Sequence, residues 1–102
     1  MAEACSFAWQ VPPAHPAFAG HFPGRPIVPG VVLLDQAILF AERLRNVPTA
    51  SWQVGNAKFL SPVGPGEMLS FMLQTGASGS IAFSVHAADR IVASGSLTPV
   101  SA

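Results

Sequence analysis

From Val31 to Arg45 the chain reads Val-Val-Leu-Leu-Asp-Gln-Ala-Ile-Leu-Phe-Ala-Glu-Arg-Leu-Arg. Val31, Val32, Leu33, Leu34, Ala37, Ile38, Leu39, Phe40, Ala41 and Leu44 cover most of a helix's circumference, and the first three turns hold only Asp35 and Gln36 as polar residues. A helix apolar nearly all round is a buried helix rather than a surface one. Glu42, Arg43 and Arg45 mark its return to water, and Pro48 stops it. A chain of 102 residues has room for one domain, residues 1–102, and no second. The rest of that domain must therefore wrap the helix.

The remaining segments read as strands. Cys5, Phe7, Trp9 and Val11 alternate with Ser6, Ala8 and Gln10 until Pro12-Pro13 ends the run. Ser51 to Leu60 is a mixed run closed by the turn-rich Ser61-Pro62-Val63-Gly64-Pro65-Gly66. Leu69, Phe71 and Leu73 alternate with Ser70 and Met72, and Gly76-Ala77-Ser78-Gly79 is a hairpin signal. Ile81, Phe83, Val85 and Ala87 alternate with small or polar residues, Ala88-Asp89 turns the chain, and Arg90 to Thr98 forms a last strand. Consecutive strands joined by short loops normally pair. The expectation is an α+β arrangement, a curved antiparallel sheet wrapped around one long central helix.

Composition narrows the function. Half of the residues are hydrophobic and 10% are charged, against a usual charged share of about 25%. A domain this small buries only about two-thirds of its unfolded surface, so a partner subunit is expected. Five basic and five acidic side chains, spread singly, give zero formal charge. Neither the basic stripe of a nucleic-acid binder nor a membrane-binding polybasic patch is present. Cys5 is the one cysteine, and His15, His21 and His86 lack metal-ligand spacing, so no metal site is expected. The start lacks the features of a signal peptide, and no apolar run is long enough to span a bilayer. A soluble cytoplasmic protein is the expectation.

Between His21 and Gly30 three prolines and two glycines fall within eight residues. Proline fixes φ and restricts the residue before it, so this is a stiff loop that delivers His21 and feeds the helix. His21 has two readings: a ring that hydrogen-bonds backbone in a proline-rich turn, or a catalytic group on a rigid scaffold. Asp35 lies too far inside the helix to be its N-cap. Its apolar neighbours predict burial, and an unpaired buried carboxylate costs several kcal/mol. The macrodipole of the first turn offers a few tenths of a kcal/mol, so Asp35 has to be paired, neutral or functional. Burial would also raise its pKa, which suits proton donation near neutral pH. Gly30 is either a plain turn glycine or a helix-start residue whose N–H can hold an oxyanion. His86 falls on the polar face of a strand, and His15 is a weaker catalytic alternative in a loop. Trp9, Trp52 and the seven Phe read as core.

The segment Gly20-His21-Phe22-Pro23-Gly24-x-Pro26-Ile27-x-Pro29-Gly30-Val31, followed by Asp35, closely resembles the signature of the hot-dog-fold (3R)-hydroxyacyl-acyl carrier protein dehydratases. A second block, Ala57-Lys58-Phe59-x-x-Pro62-Val63-x-Pro65-Gly66, resembles the strand and Pro-Gly turn that follow the helix in that family. Residues 18–70 carry the resemblance, and the later strands match in pattern only. The family fold is a curved antiparallel sheet around one long helix, the architecture read above from periodicity.

The resemblance implies elimination of water from 3-hydroxyacyl thioesters on acyl carrier protein, giving trans-2-enoyl thioesters. His21 falls on the family's catalytic His and Asp35 on its catalytic carboxylate, a position that is Glu or Asp. Gly30 falls on the helix-start residue whose N–H binds the thioester carbonyl, and Phe22 and Ile27 would border the acyl tunnel. No cofactor is implied beyond the phosphopantetheine that the substrate carries. The family's His of one subunit meets the carboxylate of the other, so a homodimer or a heterodimer with another hot-dog subunit is implied. Leu39 stands where the family often has Gln, and the chain starts close to its first strand. Short members of this kind resemble accessory dehydratases of specialised polyene or polyketide pathways. Two alternatives stand beside this: a hot-dog acyl thioesterase, which would not need His21, and a non-catalytic partner subunit of a dehydratase heterodimer. Arg25, Arg43, Arg45, Lys58 and Arg90 are scattered along the chain and form no visible carrier-protein docking patch.

Overall fold

A computed structural model describes residues 4–12, 30–45, 51–76, 79–88 and 90–100. The order is β1 (Ala4–Gln10), α1 (Gly30–Arg45), β2 (Ser51–Phe59), β3 (Met68–Thr75), β4 (Ile81–Ala87) and β5 (Arg90–Val100). These match the expected segments to within one or two residues at each end, because each carries a clear period. The strands form one antiparallel five-stranded sheet in the order β1-β3-β4-β5-β2. With α1 against it, this is the hot-dog arrangement expected from periodicity and resemblance alike.

One pairing expectation fails. β3, β4 and β5 pair in sequence, but β2 pairs with β5 rather than with β3, its successor. The Pro- and Gly-rich link after β2 is too long and too bent for a tight hairpin, so the chain crosses to the far side of β4 instead. The two tight turns behave as read. Gly76 and Gly79 close the β3–β4 hairpin through Gly76 N–H to Ser80 O at 2.8 Å and Gly79 N–H to Gly76 O at 3.1 Å, with Gly79 at φ +88°. Ala87 pairs directly with Arg90, and Ala88 takes φ +55° in between.

Register explains the core. Phe7 lies opposite Phe71, Leu73 opposite Phe83, and Ile81 opposite Leu97, so alternate side chains of adjacent strands share the helix-facing side. Against them α1 packs Leu33, Ala37, Phe40 and Ala41. The Phe40 ring stacks on Phe7 at 4.5 Å between centroids and meets Phe71 edge-on at 5.3 Å. At the helix end Arg43 lies 5.3 Å from the Phe7 ring, and Trp52 Nε1–H donates to Glu42 Oε2 at 3.2 Å. Two bulges bend the sheet's β5 region. Asn56 and Ala57 oppose the single Gly95, with Asn56 at φ +52°, and Val92 is the extra residue between the Val85–Ala93 and His86–Ile91 pairs.

The helix itself departs from expectation. A single sheet covers only one side of it, so Val31 and Leu39 are 60% and 53% exposed on this chain. Both were expected inside. Asp35 lies between them and is also exposed, not buried as its neighbours predicted. The desolvation cost argued from that burial therefore has no basis within one chain.

Candidate functional site at the start of the helix

Gly30 is the first residue of α1. The first N–H groups of a helix have no intrahelical acceptor and carry the positive end of its dipole, so they favour a partial negative charge nearby. A substituent at Gly30 would collide with the Phe59 ring, whose atoms lie 2.8 to 3.1 Å from where a Cβ would stand. The absence of a side chain thus lets the aromatic ring at the end of β2 lie directly on the helix start. Leu60, Ser61, Pro62 and Val63 continue from that ring, and with Gly30, Leu33 and Phe59 they line a cleft of about 230 Å³.

Asp35 stands just over one turn further along α1. Residues 31, 35 and 39 are spaced by four, which puts Val31, Asp35 and Leu39 in one row on the helix surface. The row faces away from Leu33, Ala37, Phe40 and Ala41, and all three of its residues are exposed. An exposed stripe of two large apolar side chains with a carboxylate between them is a poor surface for water. It is a good one for another chain.

The structure thus places two of the five expected site residues, Gly30 and Asp35, on the first half of one helix. His21, Phe22 and Ile27 lie outside the described residues, as does His15. His86 is half-buried on the sheet's outer face, with Nε2 3.1 Å from Ser84 Oγ, and takes no part. Two larger hollows, of about 380 and 470 Å³, also lie on that outer face. Neither includes Gly30 or Asp35, and size alone does not make them the site. Among the described residues no three His, Cys, Asp or Glu side chains gather as metal ligands, and no helix is long and apolar enough to cross a membrane.

Two residues near the cleft escaped the sequence reading. In the sequence Arg90 reads as one scattered cation, and Glu67 stands out in no pattern. In the structure they form an ion pair at 2.9 Å, and Glu67 also accepts a 2.7 Å hydrogen bond from the Gly64 N–H. That bond from the Gly64 backbone holds the Glu67 carboxyl below its ordinary pKa; partial burial opposes it, and the Arg90 hydrogen bond and charge add to it. The one available signal was an acid directly after the Pro-Gly turn.

A five-stranded antiparallel sheet with one helix packed on one face is the hot-dog arrangement. Residues 1–96 match the family model described as ApeI-like, ApeI dehydratase, and the chain belongs to that family. Among curated proteins it resembles the 3-hydroxyacyl-[acyl-carrier-protein] dehydratase FabZ of Chlamydia trachomatis serovar L2, at 35% identity over 96 residues, covering 81% of this chain and 63% of that protein. The chain spans about half the length of the curated relatives it matches first; for FabZ of Aliarcobacter butzleri the share is 49%. Among solved structures it superposes on the dehydratase heterocomplex ApeI:P of Xenorhabdus doucetiae with a TM-score of 0.80 at 22% identity, covering 99% of this chain and 95% of that one. An uncharacterised protein of Erwinia carotovora subsp. atroseptica gives 0.73 at 31% identity, covering 97% and 86%.

Proposed function

We propose that this chain is a dehydratase that removes water from 3-hydroxyacyl thioesters carried on acyl carrier protein, and that its site is completed between two subunits. The observation that carries the reading is the row Val31–Asp35–Leu39. It presents a carboxylate in an exposed apolar stripe, one turn from a helix N-terminus able to hold a thioester oxygen. Covering that stripe with a second hot-dog subunit would desolvate Asp35 and supply the environment that one chain lacks. Membership of a family described as a dehydratase and 35% identity to a carrier-protein dehydratase support the reaction class.

In this reading His21 takes a proton from C2 while the Gly30 N–H stabilises the negative charge gathering on the thioester oxygen. As the C2=C3 double bond forms, the C3–O bond breaks. Asp35, protonated, hands its proton to the departing hydroxyl, which leaves as water. His21 and Asp35 come from opposite subunits, and Phe22 and Ile27 border the acyl chain. The elimination needs no cofactor beyond the phosphopantetheine arm that the substrate brings. Such chemistry on carrier-bound chains would be carried out in the cytoplasm.

The partner is either a second copy or a different hot-dog subunit. The heterocomplex on which the chain superposes, together with Leu39 where the family often has Gln, favours testing a heterodimer beside the homodimer. Incubation with 3-hydroxyacyl-carrier proteins of varied chain length, alone and with a candidate second subunit, is expected to give enoyl-carrier protein lighter by one water. His21→Ala and Asp35→Asn should each lower the rate by at least ~100-fold. Free acid as product would instead indicate a thioesterase, and near-wild-type rates in either variant would sink the assignment.

A further inference from the structure

β2 lies beside β5 at one edge of the sheet, whereas β3 lies beyond β4. The link between β2 and β3 must therefore cross the ends of β5 and β4 as an arch, without strand partners for its own backbone. Its two feet are tied down. Leu60 N–H and Ser61 N–H both donate to the bulged Val92 O, at 2.8 and 3.3 Å, and Gly66 N–H donates to Val11 O at 2.9 Å. Between the feet, Val63 is inserted into the core at 2% exposure.

The crown of the arch is held by side chains. Arg90, the first residue of β5, donates from Nε to Ser61 Oγ at 2.9 Å. Its terminal nitrogen donates to Pro62 O at 3.0 Å and to Glu67 Oε1 at 2.9 Å. The other Glu67 oxygen accepts the Gly64 N–H at 2.7 Å. One guanidinium and one carboxylate, bonded to each other, thus satisfy three further groups of the arch, the Ser61 hydroxyl, the Pro62 carbonyl and the Gly64 N–H. Ser61, Pro62 and Val63 of the same segment form a wall of the cleft at Gly30.

We infer that the Arg90–Glu67 pair is a positioning device that sets the arch against the start of α1 and so the shape of the cleft at the Gly30 N–H. Its catalytic meaning rests on the dehydratase reading above; the clamp itself does not. The two side chains are 40% and 34% exposed, and an ion pair in such surroundings adds little to global stability. Geometry is another matter. A planar fork that bonds three acceptors at once fixes direction as well as distance, and a lysine cannot reproduce it. Displacing a reacting group by about 1 Å can cost on the order of 100-fold in rate.

The test compares the full-length wild type with Arg90→Lys, Arg90→Ala and Glu67→Gln by backbone amide NMR and by kcat and KM on a 3-hydroxyacyl-carrier protein. Among the described residues, the charged and titratable groups facing Glu67 are Arg90 and, across the hollow that all three line, His86. In the wild type the Gly64 amide is expected to titrate with Glu67, with its midpoint below the ordinary carboxylate range. Arg90→Lys should move the Gly30 and Gly64 amides and lower kcat about tenfold, with KM changed less than about twofold and the folding midpoint retained. Glu67→Gln should abolish the titration at Gly64. Gly30 and Gly64 amides unmoved in both Arg90 variants would overturn the inference, as would activity losses that follow only global unfolding. If wild type and variants alike make no enoyl product, the dehydratase reading fails, while the amide shifts still decide the clamp.

Discussion

Gly30 and Gly95 look alike by distance and differ in consequence. A Cβ at either position would stand 2.8 to 2.9 Å from a phenylalanine ring. At Gly95 the ring belongs to Phe83, 4% exposed, and the Ala57 Cα lies 3.2 Å from the same point, so nothing nearby can give way. Gly95→Ala is expected to destabilise the chain by about 1–3 kcal/mol in urea unfolding. At Gly30 the ring is that of Phe59, 51% exposed and free to swing outward. Gly30→Ala should cost less than about 1 kcal/mol of stability, yet narrow the approach to the helix N–H and lower turnover. Equal losses of stability in the two variants would show that Phe59 is held more firmly than its exposure implies.

At the scale of elements, α1 has two apolar faces with different work. Phe40 joins the helix to β1 and β3 through its contacts with Phe7 and Phe71. Phe40→Ala is expected to cost about 3–5 kcal/mol, a large part of the ~5–15 kcal/mol that holds a small domain. Calorimetry should show a greatly lowered Tm or no transition. Leu39, on the opposite face, touches little on its own chain. Leu39→Lys should leave intrinsic stability within about 0.5 kcal/mol while removing the concentration dependence of Tm that an associating chain shows. A dimer unaffected by Leu39→Lys would place the interface elsewhere than on the Val31–Asp35–Leu39 row.

Over the whole molecule, shortage of charge and an edge strand with no second strand partner among the described residues point the same way. β2 is exposed along nearly its full length, with Val54 and Phe59 uncovered, and such an edge invites pairing with another chain. The acid side of the stability curve has a local origin that can be read. Glu67 is held below its ordinary pKa in the folded chain. Its contribution is therefore complete above the unfolded-state value, about 4.3, and is lost as pH falls through the lowered folded value. With both partners partly exposed the size is under about 1 kcal/mol. Glu67→Gln should flatten that part of the unfolding free energy between about pH 5 and pH 3, and an unchanged pH slope would count against the Gly64 and Arg90 bonds in solution.

Strand and helix positions were legible in the sequence because periods of two and 3.6 are local properties of a chain that must bury one face. The segment bearing Gly30 and Asp35 was legible too, since prolines, glycines and a misplaced carboxylate are visible without a fold. Asp35's exposure was not, because burial depends on how much of a helix one five-stranded sheet can cover, and that is decided by tertiary packing. Nor was the pairing of β2 with β5, which lies some forty residues away. The bonds of Arg90 and Glu67 to the arch belong to the same class: twenty-three residues separate the two side chains in sequence, and only the crossing of the link brings them together. The sequence by itself determined the elements, the core face of each strand and the half of the candidate site on α1. The tertiary structure alone decided which apolar surfaces stay uncovered, because exposure is a property of all the elements packed together.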